Sequence, residues 1–185
     1  MEAGSRLHHR LLVLGSQAGD AAAFEELIAA HHASLRYYLR KMLPEEGGRI
    51  DDLLQEIWLA AYRGLPRLED PAAFTAWLYR IARNQAFSLL RGRRSPELPL
   101  EEADGLGVDP EKDWTAADAE WIHAGLDRLS PEHREALLLR FVEGMSYEEI
   151  ARVTDCQVGT VRSRLHHAKR ALRCALEGMD RHGRT

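Results

Sequence analysis

Apolar residues recur at helical spacing over most of the chain, and no segment alternates apolar and polar residues as a strand does. The first long pattern predicts a helix from Ala21 to about Leu43, with Asp20 as its N-cap and Pro44 as its end. The residues of its buried stripe are Phe24, Leu27, Ile28, Leu35 and Leu39. The pattern therefore predicts an all-α fold, and residues 1–19 are expected to be a short N-terminal segment.

Two further helices are predicted in the first half of the chain. One runs from about Ile50 to Arg63, and its apolar positions are Leu53, Leu54, Ile57, Trp58 and Ala61. The other opens at Asp70, where an N-cap residue is followed by Pro71 at the first helical position, and it continues to about Leu90. The apolar side of this second helix comprises Phe74, Trp77, Leu78, Ile81 and Ala82.

The second half of the chain repeats this helical organisation. A helix is predicted from about residue 116 to 129, and Ser130-Pro131 then opens a helix that runs to Val142 and Glu143 and ends at Gly144. Ser146 and Glu149 form a capping box at the start of a short helix. A tight turn and a longer basic helix follow, so the sequence predicts a helix-turn-helix.

The basic helix after the turn has one apolar stripe, made of Val161, Leu165, Ala168 and Leu172. Its opposite face carries polar and basic side chains, and there is no Asp or Glu between Gln157 and Arg173. Such a helix suits the DNA major groove, and the alternative is an ordinary helical hairpin with a charged, solvated face. The residues on and beside this outer face are Gly159, Thr160, Arg162, Ser163, His166, His167 and Arg170.

The formal net charge of −4 hides an uneven distribution along the chain. Residues 1–95 and residues 131–185 each carry a net charge of +2, whereas residues 96–130 carry −8 and are rich in Pro and Gly. Since local charge governs phosphate binding, two weakly basic domains joined by an acidic linker remain compatible with DNA. The expected boundaries are 20–94 for the first domain, 95–115 for the linker, 116–178 for the second domain and 179–185 for a tail.

The composition narrows the functional classes. No apolar run reaches the roughly 18–20 residues that a membrane span needs, and the N-terminus lacks a signal-peptide pattern, so a cytoplasmic protein is expected. The two cysteines fit a reducing compartment. Three histidine doublets, at positions 8–9, 31–32 and 166–167, are poor metal sites because adjacent helical residues point about 100° apart. We therefore expect no metal and no cofactor.

Two polar faces in the first half are candidates for binding. Asp52, Gln55 and Glu56 share one helical face, which could dock a partner protein or simply be solvated. The segment Trp77–Asn84 interleaves aromatic residues with arginines, which suits opened nucleic acid. Within that segment Trp77 is expected in the core, and the expected nucleic-acid contacts there are Tyr79, Arg80, Arg83 and Asn84.

Several motifs in order resemble a known family. They are Asp52-Leu-Leu-Gln-Glu-Ile-Trp, Ala76-Trp-Leu-Tyr-Arg-Ile-Ala-Arg-Asn, an acidic linker, Leu129-Ser-Pro-Glu-His-Arg-Glu-Ala-Leu-Leu-Leu-Arg and Val158-Gly-Thr-Val-Arg-Ser-Arg-Leu. Over about residues 18–177 the chain resembles bacterial sigma factors of the extracytoplasmic-function (ECF) group. Gln157 departs from the family pattern, which usually has Ser or Pro before Val-Gly-Thr.

The resemblance implies a function in transcription initiation. A sigma factor directs RNA polymerase core to promoters and assists promoter melting, and it is not an enzyme. By resemblance, Asp52, Gln55 and Glu56 dock the β′ clamp helices. The loop Gly64–Asp70 and the Asn84 neighbourhood capture the minus-ten element, and the second domain binds the β flap and the minus-thirty-five element. The implied DNA-binding residues are Tyr79, Arg80, Arg83, Asn84 and Arg91 for the minus-ten element, and Thr160, Arg162, Ser163, His166, His167 and Arg170 for the minus-thirty-five element.

Two other expectations follow. Any anti-sigma regulator must be a separate protein, because no zinc-binding anti-sigma motif occurs in this sequence. The rival function is a stand-alone helix-turn-helix regulator with a helical sensor or dimerisation domain. That rival does not need a polar Asp-x-x-Gln-Glu face beside a helix rich in arginine and aromatic residues.

Overall fold

The computed structural model describes residues 3–93 and 125–182, and all of its regular elements within these ranges are helical. In the first range the α-helices are α1 (Ala3–Gln17), α2 (Ala21–Met42), α3 (Ile50–Gly64) and α4 (Phe74–Arg93). In the second range they are α5 (Pro131–Leu137), α6 (Tyr147–Thr154) and α7 (Val158–His182). The expected acidic linker, 95–115, and most of the helix expected at 116–129 lie outside the described residues.

Shorter helical turns connect these helices. Three 3-10 turns, at Pro44–Arg49, Leu65–Arg67 and Pro71–Ala73, lie in the first range, and a fourth, at Leu126–Arg128, precedes α5. The last part of the helix predicted to reach Val142 is wound as a π-helical turn, Leu138–Val142, that continues α5.

The helix starts predicted from sequence are confirmed by their caps. The Asp20 carboxylate accepts hydrogen bonds from the backbone N–H groups of Ala22 at 2.9 Å and Ala23 at 3.2 Å. At α6, Ser146 and Glu149 form the complete capping box, with each side chain accepting from the other residue's backbone N–H. Since capping depends on residues a few positions apart, these boundaries are encoded locally.

Helix α1 was not predicted, because the sequence analysis assigned no element to residues 1–19. It packs antiparallel to α2, burying Val13, and the Gln17 amide donates to the carbonyl oxygens of Leu65 at 3.0 Å and Leu68 at 2.7 Å. Its outer face leaves Leu7, Leu11 and Leu14 exposed. Apolar residues on two faces blur the amphipathic pattern, so tertiary packing rather than periodicity identifies which face is buried.

The core of the first half contains the predicted stripes of α2, α3 and α4. Leu27, Leu39, Ile57 and Leu78 are fully buried, in agreement with the sequence pattern. A Cβ atom at Gly64 would lie 2.8 Å from the Trp77 ring, so α3 and α4 approach closely where glycine ends α3. Trp77 is partly buried and packs on this core, as expected.

The helix-turn-helix forms as predicted. Val161, Leu165, Ala168 and Leu172 of α7 are buried against α5 and α6. Asp155, in the turn, adopts a left-handed conformation with φ of 53°, and Gly144 ends the preceding helix with φ of 66°. Glycine and short polar residues such as aspartate tolerate the left-handed region, so both positions carry a residue type that suits their backbone conformation.

The two halves pack against each other. Helix α4 lies against α6, α2 lies against α5, and the buried apolar residues of both halves form one continuous cluster. The sequence predicted two domains but no contact between them, and this contact determines how several predicted DNA-binding residues are presented.

Candidate functional site

The polar face of α3 is exposed as predicted. Asp52, Gln55 and Glu56 face solvent, while Leu53 and Ile57 point into the core. Asp52 and Glu56 border a groove of about 350 Å³ between α3 and α4, whose other lining residues are Arg49, Leu53, Gln85, Ser88 and Leu89. Two carboxylates beside an amide and a hydroxyl can receive basic side chains from a partner, and the groove gives such a side chain a defined position.

Helix α4 presents its predicted nucleic-acid residues unequally. Arg80, Asn84 and Arg91 are exposed. The Arg80 guanidinium lies 3.9 Å from the Asp155 carboxylate in the turn of the second half, and both side chains are more than half exposed. An exposed pair of this kind contributes little to stability, so Arg80 remains available to other anions.

Tyr79 requires a correction, because the sequence analysis treated it as a contact residue and the structure buries it completely. Its ring meets the ring of Tyr38 edge to face, with 5.3 Å between the centroids. Burial raises the pKa of the Tyr79 phenol far above its usual value, and the negative charge of Glu143 adds to this effect. Helical spacing gave no sign of this position, because α6 and the end of the π-helical turn cover α4 from outside the first half.

Arg83 is bound to a carboxylate of the second half. Its Nε atom lies 3.1 Å from Oε1 and 3.2 Å from Oε2 of Glu135, and its guanidinium stacks 4.5 Å from the centroid of the Phe87 ring. The Tyr38 hydroxyl donates to Oε1 of Glu135 at 3.0 Å. Burial raises the pKa of Glu135, although Arg83 and the hydrogen bonds favour the charged form.

The outer face of α7 is accessible and basic. Arg162 and Arg170 are exposed, and Thr160, Ser163, His166 and His167 are partly exposed. The Ser163 hydroxyl donates to the Thr160 carbonyl at 3.1 Å, which leaves its oxygen able to accept a further hydrogen bond. This face lies opposite the buried stripe, so the helix can enter a DNA groove without losing its own core.

Sequence reasoning missed the residues that join the two halves. Arg134 is buried, and its guanidinium donates to the carbonyl oxygens of Leu126, Asp127, Leu129 and, across the contact, Lys41. Glu135 is the other residue missed. Two adjacent charged residues at buried positions of a leucine-rich helix were the available signal, because a buried charge needs a partner.

Two histidines, one from each of the doublets at 8–9 and 31–32, join α1 to α2 in a contact that the sequence analysis did not predict. The Nε2 atoms of His9 and His31 are 2.8 Å apart, so one ring donates and the other accepts. Burial lowers the pKa of His31 to about 4, with a smaller contribution from His9. Among residues 3–93 and 125–182 no group of three or more His, Cys, Asp or Glu side chains is arranged to hold a metal ion.

Comparisons with known proteins agree with this arrangement. Residues 27–95 match the family model for sigma-70 region 2, and residues 119–172 match the model for sigma-70 region 4. The RNA polymerase sigma-H factor of Pseudomonas aeruginosa is 36% identical, over 92% of this chain and 94% of its own length. The ECF RNA polymerase sigma-E factor of Escherichia coli K12 is 33% identical, over 90% of this chain and 93% of its own.

Solved structures share the fold. CnrH, solved in complex with the cytosolic domain of CnrY, superposes with a TM-score of 0.69 at 29% identity and covers 92% of this chain and 98% of that one. The sigma factor RpoE of Bartonella quintana, solved with the anti-sigma factor NepR, gives a TM-score of 0.64 at 24% identity, over 83% of this chain and 96% of that one, and supports the fold alone.

The matches and the geometry define a transcription initiation factor. The chain belongs to the ECF group of the sigma-70 family and acts with RNA polymerase in directing transcription initiation at promoters. The described helices include none that is long and apolar enough to cross a membrane.

Proposed function

We propose that three separate surfaces divide the work of this sigma factor: α3 docks the polymerase core, α4 captures the opened minus-ten strand, and α7 reads the minus-thirty-five duplex. The observation that carries this division is the pairing of an acidic face on α3 with a basic face on α7 in one chain. A stand-alone regulator would need the second surface only. The protein then acts as a non-enzymatic specificity subunit.

The docking surface consists of Asp52, Gln55 and Glu56 together with the groove beside them. An exposed carboxylate that pairs with a basic partner residue contributes to association rate and register, and reversing its charge leaves two like charges opposed. Because these side chains lie outside the core, such a reversal leaves the fold intact. The proposed occupants are the β′ clamp helices of the polymerase.

The strand-capturing surface is the exposed side of α4 with the loop Gly64–Asp70. Asn84 can hydrogen-bond a base edge, while Arg80 and Arg91 supply positive charge for phosphates, and Arg83 adds to them once it is released from Glu135. Unstacking a base costs on the order of a few kcal/mol, which an enclosing site must offset. Tyr79 contributes only if the second half moves away from α4.

The duplex-reading surface is the outer face of α7. Its N-terminal residues, including Thr160, Arg162 and Ser163, go deepest into a major groove, and Arg170 lies nearer the phosphates. The β flap is the proposed polymerase contact of the second half. A separate anti-sigma protein is the proposed regulator, in view of the complex in which CnrH was solved with a second protein, the cytosolic domain of CnrY. We place these interactions in the cytoplasm, where polymerase and promoters are found.

The experiment that tests the proposed division is reconstitution with core polymerase on a genomic promoter library. Glu56→Lys should weaken core binding at least about tenfold, whereas Arg162→Ala should leave core binding intact and reduce promoter selection. Glu25→Lys, an equal charge change at an exposed position of α2, is the matched control. If Glu56→Lys binds core as tightly as the Glu25→Lys control, the docking surface is wrong.

A further inference from the structure

The contact between the halves includes a charged cluster that is almost entirely removed from water. Glu135 has no exposed side-chain surface and Tyr38 is fully buried, while the Arg83 side chain is 19% exposed. Glu135 comes from the second half, and its two partners come from the first. The cluster therefore exists only while the halves are closed on each other.

The cluster of Glu135, Arg83 and Tyr38 acts as a lock, which means that it holds the two halves together through specific polar contacts rather than through general packing. Removing a carboxylate and a guanidinium from water is costly, and the cost is offset only when both groups are well paired. Here the carboxylate accepts from both the Arg83 guanidinium and the Tyr38 hydroxyl. The hydrogen bond from Arg134 to the Lys41 carbonyl at 2.8 Å and the ion pair of Lys41 with Asp127 at 3.4 Å hold the same contact nearby.

Glu135 also has a second possible partner within its own half. Arg164 of α7 lies close enough to favour the charged form of Glu135. The Nε atom of Arg164 is buried and has no hydrogen-bond partner among the described residues. The hydrogen bond of Arg164 is a weak one, from Nη1 to the Cys156 sulfur at 3.9 Å, so its guanidinium can still bind a carboxylate that Arg83 releases.

We propose that Glu135 is an autoinhibitory substitute for a DNA phosphate: in the free protein it occupies the Arg83 guanidinium, which the opened minus-ten strand would otherwise bind. Glu135 binds Arg83 through Nε, and a guanidinium N–H donates to carboxylate and phosphate oxygens alike, so the two ligands compete for that donor. The same closure buries Tyr79 and places Asp155 beside Arg80. Two of the five residues assigned to the minus-ten strand, Tyr79 and Arg83, are thus covered or bound by the protein itself, whereas Arg80 forms only an exposed ion pair.

The proposal rests on the proposed strand-capturing function of α4, and it adds a condition to it. A site that is competent in only a fraction of the molecules has an apparent affinity reduced by that fraction. Free protein should therefore bind single-stranded DNA weakly. Separation of the halves, as when each half contacts a different part of the polymerase, should release Arg83.

The test uses the full chain without polymerase and a fluorescein-labelled, random-sequence single-stranded DNA as the probe. Glu135→Gln removes the charge while keeping the shape. It should raise affinity for the probe about tenfold or more, and it should increase the radius of gyration measured by small-angle X-ray scattering. Glu132→Gln is the matched control, because it makes the same charge change on α5 outside the cluster and should leave both quantities at parental values.

Each outcome separates the lock from the function on which it rests. Expansion together with tighter DNA binding in Glu135→Gln supports the proposal. The Glu135→Gln/Arg83→Ala double variant should then remain expanded but lose the gain in DNA binding, because the released guanidinium is absent. Expansion without any gain in DNA binding would show that α4 is not the strand-capturing surface, and the proposed function of α4 would fail with the inference. No expansion and no gain would overturn the lock while leaving the function of α4 in transcription intact. Should circular dichroism show Glu135→Gln to be unfolded, Glu135→Asp, which withdraws the carboxylate by one methylene, replaces it with the same expectations.

Discussion

At the residue scale, the environment of each charged side chain determines whether it stabilises the protein or remains available to a partner. Arg134 donates four of its five N–H groups to carbonyl oxygens and serves the structure. Asn84 is exposed on the neighbouring surface of α4 and has no such constraint. Between these extremes lies Arg83, which is bound to a carboxylate from the other half of the chain.

Asn84→Ala should reduce promoter melting without weakening the upstream contact. The amide is the neutral group on α4 best suited to a base edge, and its exposure means that the fold does not depend on it. Open complexes probed with permanganate should show less reactivity in the minus-ten region, while binding to minus-thirty-five duplex stays at the parental level. Unchanged reactivity would remove Asn84 from the strand-capturing surface.

His31 should make the stability of the first half depend on pH. Its folded pKa of about 4 lies below the usual histidine pKa of 6.5, so the neutral ring is favoured in the folded state. The resulting stability is fully present above pH 6.5 and is lost as the pH falls towards 4. The loss can reach about 3 kcal/mol in the free energy of unfolding.

Urea unfolding at a series of pH values measures this dependence. His31→Gln keeps a hydrogen-bonding side chain beside His9 but cannot titrate, so its free energy of unfolding should fall less steeply between pH 6.5 and pH 4 than that of the parent. His32→Gln, at the exposed adjacent position, is the control and should retain the parental slope. Equal slopes for all three proteins would mean that His31 is not held neutral by its surroundings.

At the scale of elements, α7 has a buried apolar face that packs on the core and an outer polar face that is open to a partner. The buried stripe fixes its rotation on α5 and α6, and that rotation determines which side chains point outward. The left-handed turn at Asp155 then sets the angle between α6 and α7. We therefore expect the role of a side chain on α7 to follow its position: early residues should face bases, and later residues should face phosphates.

Substitutions at the two ends of this face should differ in kind. Arg162→Ala should cost roughly 1–3 kcal/mol and relax preference at one base position, because a base-edge contact is lost. Arg170→Ala should weaken binding to all sequences alike and lower the salt slope by about one, because a phosphate contact is lost. Selection from a promoter-variant library, run on both proteins side by side, measures these effects. Reversed behaviour of the two variants would show that α7 is placed in the groove the wrong way round.

At the scale of the whole molecule, the two halves are closed through a contact that uses side chains to which we assign DNA binding. Helix α4 packs against α6, and under the proposed function it also offers residues to DNA, so the closed and DNA-bound states would compete for one surface. Glu135 can pair with Arg83 across the contact or turn towards Arg164 within its own half. The balance between these partners should influence how readily the halves separate.

Removing Arg164, the second partner of Glu135, should favour the state in which the two halves are closed on each other. In Arg164→Met the released carboxylate of Glu135 would lose its alternative guanidinium, so separation should become less favourable and core polymerase should bind several-fold more weakly. A fluorescence titration of labelled protein with core measures the change. Arg152→Met, at an exposed position of α6, is the control and should bind as the parent does. Equal affinity for both variants would show that Arg164 does not assist opening.

The sequence by itself determined the helices, their caps and the inward faces of α2, α3, α4 and α7, because these features depend on residues within a few turns of each other. The buried stripe at Val161 and Leu165 and the cap at Asp20 follow from spacing alone. The resemblance in motif order also indicated the family. Only the tertiary structure decided that Tyr79 is buried and that Arg83 is bound to a carboxylate. The residues that cover or bind them, Glu143 and Glu135, lie more than 50 positions away in the chain. Periodicity reports which face of a helix is apolar, whereas the partner of a polar side chain depends on how distant elements are brought together.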